Sequence, residues 1–183
     1  MKIECSIDGK ALSLSVNSNK PLSLILTEDV GNRSLVSYCQ GNGCGNCIVL
    51  LNEEAVLSCM IPAFRLKDST IRTFDSFQKT RQYRDIERAY RATGNNPCPN
   101  CYASKTLIIE SILQDLTNSH PGKLGSTLTG RIQVPQDNDE IIDEKNIVQE
   151  LSLNTCTCMD MSEMLQIVEI ALGYRRRKRV RRN

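Results

Sequence analysis

Cys39-Gln40-Gly41-Asn42-Gly43-Cys44-Gly45-Asn46-Cys47 sets three cysteines and three glycines within nine positions, and Cys59 follows twelve residues after Cys47. The pattern is C-x4-C-x2-C, with a fourth cysteine on what reads as the next strand. Three thiolates from one loop must converge on a single small anionic centre. Glycine lets the backbone curl that tightly, and its missing side chain lets N–H groups approach the sulfurs. A structural zinc site favours two C-x2–4-C knuckles and gains nothing from the glycines. A nucleotide loop needs a third glycine and a following helix, whereas Gly41-x-Gly43 leads into the apolar run Ile48-Val49-Leu50-Leu51. The spacing therefore points to a [2Fe–2S] site of the plant type, with Cys39, Cys44, Cys47 and Cys59 as ligands.

Outward from that loop, residues 1–77 read as strands and turns with one helix. Ile3, Cys5 and Ile7 alternate with polar neighbours, Asp8-Gly9-Lys10 supplies a hairpin turn, and Leu12, Leu14 and Val16 alternate again. Cys5 is thereby expected as a core thiol. Pro21 opens a short helical stretch carrying Leu22, Leu24, Ile25 and Leu26, closed before Gly31. Val56 to Met60 and Thr70 to Phe74 read as two further strands. Together these elements make a small α+β sheet with a helix across it.

From about residue 80 the apolar period changes to that of helices. Tyr83, Ile86, Ala89 and Tyr90 form one stripe, and Ile109, Ile112, Leu113 and Leu116 a second. Ile147, Val148 and Leu151 mark a third helix; Met161, Met164, Leu165, Val168 and Leu172 mark a fourth. The stretch 118–140, punctuated by Pro121, Gly122, Gly125, Gly130 and Pro135, reads as a loop insertion. Its His120 has the polar setting of a solvated side chain. A second cysteine group frames these helices: Cys98-Pro99-Asn100-Cys101, then Cys156-Thr157-Cys158. On ligand chemistry alone, C-x2-C with C-x-C suits zinc or an iron–sulfur cluster.

The chain has 183 residues, with 23 Lys plus Arg against 21 Asp plus Glu and a formal charge of +2. Seven of those basic residues lie in the last nine positions, so the rest of the chain carries 16 basic against 21 acidic residues. A nucleic-acid-binding body is therefore not indicated. The segment 175–183 reads as a basic disordered tail, because blocks of like charge repel and do not fold. Removing it is expected to leave both cysteine sites intact. No apolar run reaches the ~18 residues of a membrane span. Acids near Met1 stand where a secretory signal would be apolar, and nine cysteines in a reducing compartment favour metal binding over disulfides, so a cytoplasmic location is expected.

With both groups on the page, the sequence resembles the iron–sulfur subunit of the xanthine dehydrogenase and aldehyde oxidase family of molybdenum hydroxylases. The resemblance rests on C-x4-C-G-x-C, on Ser58-Cys59-Met60 and Ile71-Arg72-Thr73-Phe74, and on Asn154-Thr155-Cys156-Thr157-Cys158 with its following helix. It implies an N-terminal β-grasp, ferredoxin-like domain over residues 1–77, followed by an all-α four-helix domain over 80–174. The first would hold one [2Fe–2S] cluster on Cys39, Cys44, Cys47 and Cys59. The second would hold another on Cys98, Cys101, Cys156 and Cys158. The family further implies a molybdopterin-binding large subunit and an FAD-binding subunit as partners, with this chain relaying electrons between them and contributing no catalytic residue. Pro97, Pro99 and Ala103-Ser104 depart from the family's pattern, which has Gln, Gly and Pro-Gly there. The departures keep a stand-alone ferredoxin-like carrier as an alternative; a zinc-stabilised interaction module is the second.

Overall fold

The computed structural model of the chain describes residues 1–32, 34–35, 43–118, 131–133 and 141–180. Strands β1 (Lys2–Ile7) and β2 (Lys10–Ser15) form the expected hairpin, with Ile7 opposite Lys10. Asp8 and Gly9 at its tip take φ of 52° and 79°, the left-handed pair that matches the twist of adjoining strands. β3 (Ile48–Leu51), β4 (Glu54–Leu57) and β5 (Thr70–Arg72) complete a five-stranded sheet in the order β2-β1-β5-β3-β4. Only β1 and β5 run parallel in it; the other pairs are antiparallel.

β3 explains why residues 48–51 are apolar without alternation. Val49 packs into a core with Ile3, Ile7 and Ile71, which the short helix α1 (Leu22–Leu24) and its π-turn over Ile25–Asp29 cover with Leu22, Ile25 and Leu26. Ile48 and Leu50 point the other way, into a larger core built by the helices. A strand covered on both faces needs apolar residues at both parities.

After α2 (Phe74–Phe77), four longer helices follow: α3 (Arg81–Thr93), α4 (Tyr102–Asn118), α5 (Glu144–Leu151) and α6 (Met161–Val180). Thr80 caps α3 by accepting the Tyr83 N–H at 3.2 Å, and Gly94 ends it at φ 73°. α6 opens on a reciprocal cap: the Glu163 N–H donates to Asp160 Oδ1 at 2.8 Å, and the Asp160 N–H to Glu163 Oε2 at 2.9 Å. Ile86, Ile109, Ile112, Met164 and Val168, all on the expected stripes, meet in one core. Cys5 is buried, and burial raises its thiol pKa. Among the described residues, no helix is long and apolar enough to cross a membrane.

Four expectations need correction. Val56–Met60 is not one strand: β4 stops at Leu57, and Ser58–Met60 is a 3-10 turn. The Ser58 N–H and hydroxyl both donate to the Cys47 carbonyl, at 3.1 and 2.7 Å, one position past the Ile48–Leu57 pair, and the chain then turns away as the Ile61 N–H closes on the Ser58 carbonyl at 3.4 Å. β5 ends at Arg72, because the Thr73 N–H and hydroxyl donate to the Asp8 carboxylate at 2.7 and 2.8 Å and Phe74 starts a helix. Within 118–140, residues Arg131–Gln133 form a strand (β6) antiparallel to Ile141–Asp143 (β7); His120 lies outside the described residues. Finally, the basic segment does not start as a disordered end. α6 continues through Val180, and the Arg175 guanidinium pairs with Glu110, whose side chain is 0 % exposed.

One buried acid gives a pH test of this core. Glu150 has an unpartnered buried oxygen, and burial, followed by the nearby Asp115 charge, pushes its carboxyl up from 4.5 to about 7. A raised carboxyl keeps its proton in the fold but loses it in the unfolded chain. Stability from this group is therefore lost as pH rises from about 4.5 through about 7. Glu150→Gln should be more stable than the parent protein at pH ~8, on the order of 1 kcal/mol after allowance for partial solvent exposure, with the gain shrinking toward pH ~5. Urea unfolding at both pH values checks this; a pH-independent difference would refute it.

Candidate metal centre

The second cysteine group assembles from two chain segments. Cys98 and Cys101 sit in the turn before α4, where the Cys101 and Tyr102 N–H groups donate to the Cys98 carbonyl at 3.1 and 2.9 Å. Cys156 and Cys158 occupy the loop between α5 and α6. Their sulfurs converge: Cys98 Sγ lies 3.2 Å from Cys101 Sγ and 3.8 Å from Cys156 Sγ, and Cys101 Sγ lies 3.1 Å from Cys158 Sγ. All four lie within 4.8 Å of one another, and among the described residues this is the only cysteine group so gathered. Cys101 is fully buried, whereas Cys158 is exposed at the rim.

Four thiols this close cannot titrate independently. The hydrogen bond from the Cys101 thiol holds Cys98 down to about 7, while burial pushes Cys101 above the ordinary thiol range. Such a set is ready to lose protons to a soft cation. Four thiolates fit either a tetrahedral zinc ion or an iron–sulfur cluster on donor chemistry. The Cys98 N–H adds a feature a cluster can use: it donates to Cys158 Sγ at 3.3 Å, favouring negative charge on that sulfur.

Of the first group, Cys39 lies outside the described residues. Cys44 and Cys47 flank Gly45 just before β3, and Cys59 sits on the 3-10 turn after β4, not on a strand. Cys47 is fully buried and its carbonyl is held by Ser58; Cys44 Sγ accepts the Asn46 N–H at 3.5 Å.

The two cysteine loops touch. Asn154, buried at 4 % exposure, donates from Nδ2 to the Gly45 carbonyl at 3.0 Å and to Asn46 Oδ1 at 2.9 Å, while its Oδ1 accepts the Cys156 N–H at 3.1 Å. The Thr155 hydroxyl donates to the Cys44 carbonyl at 3.3 Å. Gly45, at φ 75°, has no room for a side chain: an added Cβ would stand 2.2 Å from the Leu153 carbonyl oxygen. Asn154 and Thr155 carry part of the resemblance read from the sequence, yet spacing alone assigns them no role. Their partners lie more than a hundred residues away.

No family model matches the chain. Over 111 residues it is 27% identical to the nicotinate dehydrogenase small FeS subunit of Eubacterium barkeri, covering 61% of this chain and 71% of that protein. Over 99 residues it is 32% identical to the xanthine dehydrogenase iron-sulfur-binding subunit of Escherichia coli O157:H7, covering 54% of this chain and 62% of that protein. Its fold matches a chain in the crystal structure of quinoline 2-oxidoreductase from Pseudomonas putida 86 with a TM-score of 0.67 at 20% identity, covering 97% of this chain and 96% of that one.

Proposed function

We propose that this chain, a relative of the iron–sulfur subunits of the molybdenum hydroxylases, is the electron-transfer subunit of such an oxidoreductase. In this reading it holds two [2Fe–2S] clusters and passes electrons from a molybdopterin-binding large subunit to an FAD-binding subunit. One observation carries it: two of the four converging thiols, Cys156 and Cys158, lie on a loop hydrogen-bonded to the loop of a second cysteine group. A zinc-stabilised module has no use for that adjacency, whereas an electron relay needs its two centres close together.

A [2Fe–2S] cluster, when bound, takes up and releases one electron at a time. The chain's own residues do the rest. Cys98, Cys101, Cys156 and Cys158 would hold one cluster, and Cys39, Cys44, Cys47 and Cys59 the other. The Cys98 and Asn46 N–H groups, already aimed at Cys158 and Cys44 sulfurs, favour the more negative, reduced state. Burial of Cys47 and Cys101 keeps water from those ligands. Asn154 and Thr155 hold the two loops in contact. Catalysis would belong to the partner subunits.

Electron paramagnetic resonance of the reduced protein tests this directly. Two distinct [2Fe–2S] signals of comparable intensity are expected, with molybdenum- and flavin-containing subunits co-purifying. A colourless chain carrying zinc would sink the proposal. Two clusters on a chain that is reproducibly isolated alone and active would favour the stand-alone carrier.

A further inference from the structure

The least expected side chain near the second cysteine group is Lys105. It lies four residues after Cys101 on α4, is 2 % exposed, and ranks among the largest fully buried side chains. Its Nζ donates to the Met164 thioether at 3.3 Å, a weak acceptor for an ammonium. Among the described residues it forms no ion pair. A buried cation without a counter-charge is costly, by several kcal/mol.

What surrounds it narrows the missing partner. Lys105 lines a cavity of about 360 Å³ together with Asn154, Cys156, Met159 and Met164. Asp160 is the one carboxylate among the described lining residues, and its Oδ1 is engaged by the Ser162 hydroxyl and the Glu163 N–H at 2.7 and 2.8 Å. Residues four apart share a helix face, so Lys105 stands one turn after Cys101, its N–H donating to the Cys101 carbonyl at 2.9 Å, and its side chain lines the same cavity as Cys156. The negative charge available there is that of the four-thiolate site itself.

We propose that the Lys105 ammonium is the buried counter-charge of the second cysteine site and sets the reduction potential of the cluster held there. The inference rests on the two-cluster reading above. Two ferric ions, two sulfides and four thiolates sum to a dianion, and one-electron reduction makes it a trianion. A fixed buried cation favours the trianion over the dianion, because its attraction grows with the added charge and is weakly screened around a side chain as buried as Lys105. Lys105 ligates nothing and transfers no proton here; it is a positioning charge, acting through the field.

The test is a reductive titration of the full-length, cluster-loaded protein followed by electron paramagnetic resonance. The second cluster's signal is identified as the one altered in Cys101→Ser. Lys105→Met, close in length and neutral, should shift the second cluster's reduction equilibrium at least tenfold toward the oxidised form, a potential lower by about 59 mV for one electron. The first cluster's potential should stay in place. Lys105→Arg, which keeps the charge, should stay close to the parent value. Lys105→Gln serves as a second neutral variant where Lys105→Met does not retain the cluster, and should shift the same way. An unmoved second potential in a neutral variant that shows both signals overturns the inference and leaves the two-cluster reading standing. Absence of a second iron–sulfur signal in the parent protein overturns both.

Discussion

Arg175→Met should destabilise the protein by about 3–5 kcal/mol, the range for removing one partner of a buried ion pair. Glu110, on α4, is 0 % exposed, and the Arg175 side chain reaching it from α6 is 10 % exposed. Burial pushes the Glu110 carboxyl up, and the Arg175 charge is the largest influence opposing that rise. Gln114 Nε2 donates to Glu110 Oε1 at 2.9 Å, so one oxygen keeps a neutral partner when the guanidinium is gone. The other is left without its cation in the core shared by α3, α4 and α6. In the variant the carboxyl would hold its proton more strongly than before. Its deficit therefore grows as pH rises above the ordinary carboxylate range, whereas the deficit from loss of an exposed ion pair is already complete by that range. Denaturant unfolding at two pH values reads both the size and the sign. Glu110→Leu combined with Arg175→Met should recover most of the loss, since apolar side chains replace a buried pair at little cost. A deficit under 1 kcal/mol for the single variant would mean that the pair is solvated.

The same pair changes what truncation does. Ending the chain at Tyr174 removes the cation and should mimic Arg175→Met. Ending it after Val180 keeps the helix and should cost little. Reading residues 175–183 as one unit merged these cases, because a run of like charge looks the same whether its first member is solvated or buried. Arg175 is held by a partner 65 positions away, and local spacing carries no record of that partner.

Other features divide along the same line. The β1–β2 hairpin was readable, since Asp8-Gly9 supplies left-handed backbone and its flanks alternate. The helices were readable from their period, and the second cysteine group from C-x2-C and C-x-C at helix ends. Ser58–Met60 reads as a continuation of the strand because the 3-10 turn that the Ile61 N–H closes on the Ser58 carbonyl leaves no mark in the local spacing. Lys105 left a trace that could have been followed. A lysine on the helix that starts at Tyr102, one turn after Cys101 and just before the apolar run Leu107-Ile108-Ile109, is a charge with no sequence reason to be there. The contact between the two cysteine loops left none, since Asn154 and Gly45 are 109 positions apart.

That contact carries the second large effect. Gly45→Ala should destabilise the protein by about 3–5 kcal/mol and disturb both centres together. Two costs add at this residue. Its φ of 75° strains any L side chain, and the new Cβ would meet the Leu153 carbonyl oxygen at 2.2 Å and Asn154 Cα at 2.3 Å. Both obstacles are backbone, so neither can rotate away, and the loop carrying Cys156 and Cys158 must back off. Retreat breaks the Asn154 bonds to Gly45 and Asn46 and the Thr155 bond to Cys44. Gly94→Ala is the control: the backbone there is equally left-handed at φ 73°, but nothing lies within 4 Å of the added carbon. It should cost about 1 kcal/mol and leave the electron paramagnetic resonance spectrum unchanged. If the loops are held by the geometry described and each carries its proposed cluster, Gly45→Ala weakens the magnetic interaction between the two reduced clusters even in molecules that retain both. Equal spectra and equal stabilities for the two variants would mean that Gly45 serves only its own turn and that the two sites are not joined through it.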